Sequence, residues 1–510
     1  MDLTEWDLPD PAHVVTPADD VEWDSLLRRY HGDVNDMPLA RCLQVARSHG
    51  ARTVVTETRY VDMDYRSEHH AYYGRGHADV PAHAHRLHFF AGKVDANTDL
   101  SALPTDHGYI GYIVIRPVLV GPVSRAMLPP PADAPGVRCC VTEKVGFFGQ
   151  TLTVSGVPFG QQDTGLGACA HVAAWVCHYT AALRGDVARR PRGEFALQSD
   201  PSLSPERALP STGLTVQQLS DLLRRFDLPP IFYVLGNLPS GRLPWQPPDP
   251  TPQPGMAGGE WDTRVFAVMC RHLNGGYPVL VGTYDHAFVV IGWSRDPADP
   301  AHILFVRHDD QRGPYLPVHN PLNDIMTQMD GLPHAYGPWR TLQVPLPPKL
   351  WLAPENAEHK AGIFLAQAIS APLAAALLRH TGDTIEDLPT LIAAGHIALR
   401  TYASPSEAFK RNIVGLGMDP VHVRAYRMAR LPKHVWVVEV IDRRLRQQNQ
   451  PSVLGEALVD ATSSDSFPDV VAYRLHGALI VQTTRRTPRG PTLGSRMPTI
   501  PGGAGNIGGP

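Results

Sequence analysis

The hydrophobic positions of this chain change period several times, and each change marks an element. Alternating runs such as TVVTETRYVDMDY and YIGYIVIRPVLV fit an extended backbone, whose successive side chains point to opposite faces, and predict strands. Apolar residues three and four apart in SLLRRYHG and MPLARCLQVARSHG predict short helices. The pattern then runs strand, strand, loop, helix: CCVTEKVGFF, QTLTVSGVPF, the small-residue turn QQDTGLGA, and CAHVAAWVCHYTAALRG. A second helix, LTVQQLSDLLRRF, carries its own start signal, with Thr215 as N-cap and Gln218 three residues on as the reciprocal partner. A third, TRVFAVMCRHLNGG, leads into one long strand, YPVLVGTYDHAFVVIGW, and after the turn WSRDPADP a further strand, AHILFVRHDDQRGPY. Beyond Pro345 come alanine-rich helices, a helix at SPSEAFKRNIVGLG, and the strands VWVVEVIDRRL, SVLGEALVDATSS and VVAYRLHGALIVQ.

These shifts predict five segments. Residues 1–30 read as a loosely held acidic arm, and residues 31–137 as an N-terminal α/β domain ending at the proline cluster Pro129–Pro135. Residues 138–345 form a core with proline-rich insertions, residues 346–485 a C-terminal α+β domain, and residues 486–510 a basic, disordered Pro/Gly-rich tail. A chain of 510 residues exceeds one ordinary core, and 43% hydrophobic with 19% charged residues is a globular composition.

Charge and cysteines narrow the function classes. A formal net charge of -4 supplies no broad basic field, so nucleic acid is not an expected partner. The start, MDLTEWDLPD, lacks the basic and apolar regions of a secretory signal, which makes the cytoplasm the expected location. The 6 cysteines, Cys42, Cys139, Cys140, Cys169, Cys177 and Cys270, have no CxxC spacing, so disulfides and structural zinc are not expected. Ala361 to Leu378 is uncharged, but Gln367, Ser370 and Pro372 interrupt it and no anchors flank both ends; a buried helix is expected and no membrane. The stretch SEHHAYYGRGHADVPAHAHRLHFF, with His69, His70, His77, His83, His85 and His88, lacks any completed ligand set; neither metal nor cofactor is expected, and its aromatic residues equally suit a partner or ligand surface. Arg116 ends the strand phrase GYIGYIVIRP, and the glycine-rich segments lack the lysine and context of a phosphate loop. Glu439, Asp442 and Glu456 read as charges on exposed strand faces.

The candidate chemistry starts at Cys169. A cysteine in the first turn of a helix meets unpaired N–H groups and the positive end of the dipole, which favour thiolate. Cys177, well inside the same helix, reads as core, and His171 as pointing elsewhere. A cysteine nucleophile needs a base and a group that orients the base. His286 opens a β-rich apolar run, and the following strand ends in Asp309 and Asp310. Two adjacent strands bring one of these carboxylates beside the imidazole, where it accepts the Nδ1 proton.

A cysteine at a helix start, a histidine opening a strand and a polar residue ending the next strand form an order that resembles the papain-like cysteine peptidases, particularly the bacterial branch labelled C39-like. The resemblance covers about residues 138–345, on QQDTGLGACAHVAAW, HAFVVIGW and HDDQRGPY. It implies a papain-like core, in which the catalytic helix packs on an antiparallel sheet, with Cys169 as nucleophile, His286 as base and Asp309 as orienting residue; Asp310 is the alternative, one residue along the strand. The family places an oxyanion-hole glutamine six positions before the cysteine. Asp163 stands there, and Gln162 fills the role if the loop accommodates one more residue; the Gly or Trp that often follows the cysteine is also missing. The expected activity is that of a cysteine hydrolase cleaving an amide, peptide or isopeptide bond in a peptide or protein through an acyl-enzyme. The alternatives are acyl transfer by the same triad, and a degenerate module that only binds a peptide or protein.

Overall fold

Alternating apolar positions do produce strands, and the first five pair in chain order. The computed structural model describes residues 6, 10–17, 19–31, 37–95, 97–103, 107–118, 120–163, 165–199, 213–235, 259–295, 303–318, 325–326, 334–335, 339–370, 387–413, 418–448, 452–464, 470–475, 478–481, 485–487, 490–492 and 500–501. The chain is mixed α and β, and its contacts divide it into two units: residues 1–237 with 276–347, and residues 238–275 with 348–510.

The first unit begins with β1 (Ala12–Val15), α1 (Asp20–His31), α2 (Met37–Ser48), β2 (Thr53–Tyr60), α3 (Met63–Ala71), β3 (Ala84–Phe90), β4 (Tyr109–Ile115) and β5 (Val123–Met127). The sheet order is β1-β2-β3-β4-β5 with every pairing antiparallel, so this part is α+β and not the α/β expected; the helices between its strands do not act as crossovers between parallel strands. The run expected to be a strand through Tyr65 stops at Tyr60, because the Asp62 carboxylate accepts the Tyr65 N–H at 2.9 Å and starts α3. The expected loose arm is also corrected. β1 pairs with β2, Trp6 stacks on His85 with centroids 3.9 Å apart, and α1 buries Trp23, Leu26, Leu27 and Tyr30. Apolar residues spaced at helical intervals among its acidic ones pin it down.

The unit continues through the hairpin β6 (Val141–Phe147) and β7 (Gln150–Gly156), then α4 (Cys169–Leu183), α5 (Arg192–Leu197), α6 (Val216–Arg225), β8 (Pro230–Val234), β9 (Val279–Gly282), β10 (Ala287–Arg295), β11 (Ile303–Asp309), β12 (Gly313–Val318), the two-residue strands β13 (Ile325–Met326) and β14 (His334–Ala335), and β15 (Thr341–Pro345). Its second sheet has the order β12-β11-β10-β9-β15-β8, again antiparallel, and α4 packs on β10 and against α6. The single strand expected over YPVLVGTYDHAFVVIGW is two strands. A tight turn separates them, in which the Thr283 N–H donates to the His286 carbonyl at 2.9 Å and the His286 N–H to Thr283 Oγ1 at 3.2 Å.

The boundary expected at residue 137 is not a domain boundary. Arg41 of α2 donates to the carbonyls of Pro314 (3.2 Å) and Tyr315 (3.0 Å), and the Tyr315 hydroxyl, between strands, donates to the Leu128 carbonyl at 2.7 Å and accepts the Val157 N–H at 2.9 Å. These groups are buried, and each half supplies the partners the other needs.

The second unit holds α7 (Gly259–Leu273), α8 (Pro354–Ser370) and the antiparallel sheet β16 (Ile397–Pro405), β17 (His434–Asp442), β18 (Val453–Asp460), β19 (Val470–Leu475) and β20 (Ala478–Val481), with residues 500–501 pairing with β20. The helix expected in the core, TRVFAVMCRHLNGG, thus belongs to this unit, where Arg271 grips Glu358 through bonds of 2.7 and 3.1 Å. Glu439, Asp442 and Glu456 are buried, contrary to expectation. Arg400, Glu439, Glu456 and Arg474 stand opposite one another across four strands, and each carboxylate is also met by a tyrosine, Tyr402 on Glu439 (3.0 Å) and Tyr426 on Glu456 (2.7 Å). Cross-strand pairing supplies the counter-charges that burial demands. Part of the tail expected to be disordered forms strands, at Arg485–Thr487, Gly490–Thr492 and Ile500–Pro501; its other residues, the insertion at residues 239–258 and residues 371–378 of the alanine-rich run lie outside the described residues. Among the described residues no helix is long and apolar enough to cross a membrane.

Candidate active site

The turn ahead of α4 is closed by Asp163. Its carbonyl accepts the N–H groups of Leu166 (3.1 Å) and Gly167 (3.0 Å), and its Oδ1 accepts that of Gly165 at 2.9 Å. The chain then needs a helix start, but Ala168 has no side-chain acceptor to cap it. His171 takes over: Nδ1 accepts the Ala168 N–H at 3.2 Å, and Nε2–H donates to Ser199 Oγ at 2.9 Å, which donates onward to the Phe195 carbonyl. Burial pulls the His171 pKa down to about 4, so the ring stays neutral in this role. Cys169, the first residue of the helix, is half-buried, whereas Cys177 is fully enclosed and burial pushes its thiol far up. The two cysteines of α4 therefore have different surroundings, one at a helix end and one in the core.

Across from this helix end, the β10–β11 pairing sets His308 opposite Val289 and brings the end of β11 beside His286. His286 Nε2 lies 3.3 Å from Asp309 Oδ1 and 3.8 Å from Asp310 Oδ1. The expected contact was through Nδ1. The ring reaches over from the turn at residues 283–286 and meets the carboxylates with its far nitrogen, leaving Nδ1 toward the side chain of Gln311, whose amide nitrogen is 3.5 Å away. Burial disfavours the imidazolium, but the charge of Asp309, its hydrogen bond, a hydrogen bond with Cys169 and the charge of Asp310 outweigh it, and the His286 pKa stands well above its ordinary value. Cys169, His286 and Asp309 are thus brought together.

The two adjacent carboxylates differ. Burial pushes against ionisation of Asp309, yet the His286 charge and hydrogen bond, Arg307 and the Gln311 backbone N–H hold its pKa below the ordinary range. Asp310 is raised, by burial first and then by the Asp309 charge, with His286 opposing, and neither of its oxygens has a hydrogen-bond partner. Among the described residues, His286, Asp309 and Asp310 are also the one group whose metal-capable atoms lie within 4.8 Å of one another. In the histidine-rich stretch His69 bonds the Val80 carbonyl at 2.9 Å, His85 stacks on Trp6 and His88 lies 3.1 Å from the Tyr109 hydroxyl, while His70 and His77 are exposed.

Asp163, at the position where the resemblance implies a glutamine, is buried. It accepts a hydrogen bond from the Tyr73 hydroxyl and lies 3.8 Å from Arg116, whose fully enclosed guanidinium also donates to Glu68 (2.7 Å), to the Gly121 carbonyl (2.7 Å) and to the Gln161 carbonyl (3.0 Å). Gln162 is half-buried, and its carbonyl crowds Gly121 so closely that a β-carbon there would stand 2.0 Å from it. Sequence reasoning missed Gln311, and placed Tyr73 in a partner or ligand surface without foreseeing its bond to Asp163. A charge ending an apolar strand, as Arg116 does, signals a buried partner, but nothing in the sequence says which carboxylate it is.

Comparison of the chain with protein-family models, curated proteins and solved structures finds no match.

Proposed function

We propose that this protein is a cysteine hydrolase with a papain-like core, acting on an amide, peptide or isopeptide bond of a peptide or protein. The observation that carries the reading is His286, whose Nε2 lies 3.3 Å from Asp309 Oδ1 and which interacts with Cys169 at the start of α4. A histidine held as imidazolium by a buried carboxylate favours the thiolate of its cysteine partner. In this mechanism the Cys169 sulfur attacks the carbonyl carbon, the C–N bond breaks as His286 gives its proton to the leaving amine, and a thioester remains. Water then attacks the thioester carbonyl while His286 takes up a proton, and the acid product leaves with Cys169 restored. An amine in place of water turns the same cycle into acyl transfer.

One observation favours a second reading, a module that binds a peptide or protein without turning it over. Asp163 is held beside Arg116 and Tyr73 and is an acceptor, so the position that donates to the oxyanion in the resembling family does not donate here. Alkylation by iodoacetamide over pH 5 to 9 separates the readings. The hydrolase predicts rapid reaction confined to Cys169, already present near pH 6, abolished in Cys169→Ala and slowed at least about tenfold in His286→Ala. Slow alkylation spread over several cysteines and indifferent to His286→Ala rejects the hydrolase.

A further inference from the structure

Acyl chemistry at Cys169 requires a hydrogen-bond donor for the oxygen that becomes negative, and the residue at the expected position is a carboxylate. Asp163 is held by Tyr73, Arg116 and the Gly165 N–H, and accepts in these contacts instead of donating. A neutral amide lies beside the base, on the neighbouring turn. Gln311 sits in the three-residue turn between β11 and β12, and its amide nitrogen is 3.5 Å from His286 Nδ1, the ring nitrogen that Asp309 does not occupy. At that length the contact is weak, and the Nδ1–H of an imidazolium does not accept a hydrogen bond, so the amide N–H groups remain for a ligand.

The turn that carries Gln311 is braced. The Asp309 carboxylate accepts the Gln311 backbone N–H at 3.1 Å while it accepts from His286, and the Asp309 carbonyl accepts the Arg312 N–H at 3.1 Å. Gly313 closes the turn at φ 125, where a β-carbon would stand 2.6 Å from the Arg41 side chain. One carboxylate thus fixes both the base and the turn beside it, while the Gln311 side chain itself is exposed and accessible to a substrate. We propose that Gln311 is the side-chain donor of the oxyanion hole, in place of the glutamine the resembling family carries before its cysteine.

The inference rests on the hydrolase reading. When the Cys169 sulfur bonds to the carbonyl carbon, the C=O π pair moves onto oxygen; the Gln311 amide N–H donates to that oxygen, the Cys169 backbone N–H in the first turn of α4 assists, and the pair returns as the leaving group departs. Removing one such donor costs about 100-fold to 1,000-fold in the acyl step. Alkylation, which makes no oxyanion, is indifferent to it.

The test compares two probes on the full-length protein. Iodoacetamide reports the Cys169–His286 pair, and p-nitrophenyl acetate reports acylation through a tetrahedral oxyanion. Gln311→Ala is expected to alkylate within about twofold of wild type but to acylate about 100-fold more slowly, and Gln311→Glu to acylate no faster than Gln311→Ala, because a carboxylate repels the oxyanion. Wild-type acylation in Gln311→Ala, or a loss found in Gln162→Ala instead, overturns the assignment and leaves the hydrolase standing. Wild-type alkylation that ignores His286→Ala overturns both.

Discussion

Asp309 and Asp310 are neighbours in sequence and opposites in chemistry. Asp309 Oδ1 accepts from His286 and the Gln311 N–H, Arg307 lies 3.7 Å from Oδ2, and its pKa is lowered; Asp310 faces apolar side chains from α4 and β10, has no hydrogen-bond donor, and its pKa is raised. The signs lead to separate predictions. A carboxyl raised in the folded state contributes stability below its ordinary value near 3.8 and loses it as pH rises through the folded value. Asp310→Asn is therefore expected to raise the melting temperature, by a margin that grows from pH 4 to pH 8; a variant melting lower than wild type at pH 8 contradicts this. His286, raised above 6.5, contributes its full stability below that value and loses it as pH climbs, while Asp309, lowered below 3.8, loses its share as pH falls. The cost of His286→Gln is expected to be largest between these two ordinary values and to shrink at higher pH, as read by urea unfolding at pH 5.5 and 9.

The starts of two helices illustrate how differently elements are encoded. Thr215 and Gln218 exchange hydrogen bonds at the start of α6 as their spacing indicates, with lengths of 3.2 and 2.8 Å. Thr215→Ala is expected to cost about 1 kcal/mol in denaturant unfolding. The start of α4 has no such signature, because His171 receives the Ala168 N–H and depends on Ser199, 28 residues away, for its other nitrogen. His171→Ala leaves the part-buried Ala168 N–H without its acceptor and opens space beside Ser199, and is expected to cost about 1–3 kcal/mol by the same measurement. Strands followed the same division: the alternating β2 and β4 were legible, but the break between β9 and β10 comes from the Thr283 side chain closing a turn inside one apolar run.

Over the whole molecule, the N-terminal sheet and the sheet bearing His286 belong to one compact unit, with Arg41 and Tyr315 bonded across what composition suggested was a linker. A fragment of residues 138–347 is accordingly expected to lack the cooperative thermal transition of the intact chain; a sharp transition in that fragment refutes this. By itself the amino-acid sequence determined the local periods, the cap of α6, the small-residue turn before Cys169 and the order cysteine, histidine, aspartate, since each is set by neighbours a few residues apart. Only the tertiary structure decided which imidazole nitrogen meets Asp309, that Arg116 claims Asp163 from 47 positions away, that Gln311 adjoins the base, and that Glu439 and Glu456 are buried. Those outcomes depend on strand pairing and on the requirement that every buried charge and donor find a partner, a condition met between segments distant in the chain.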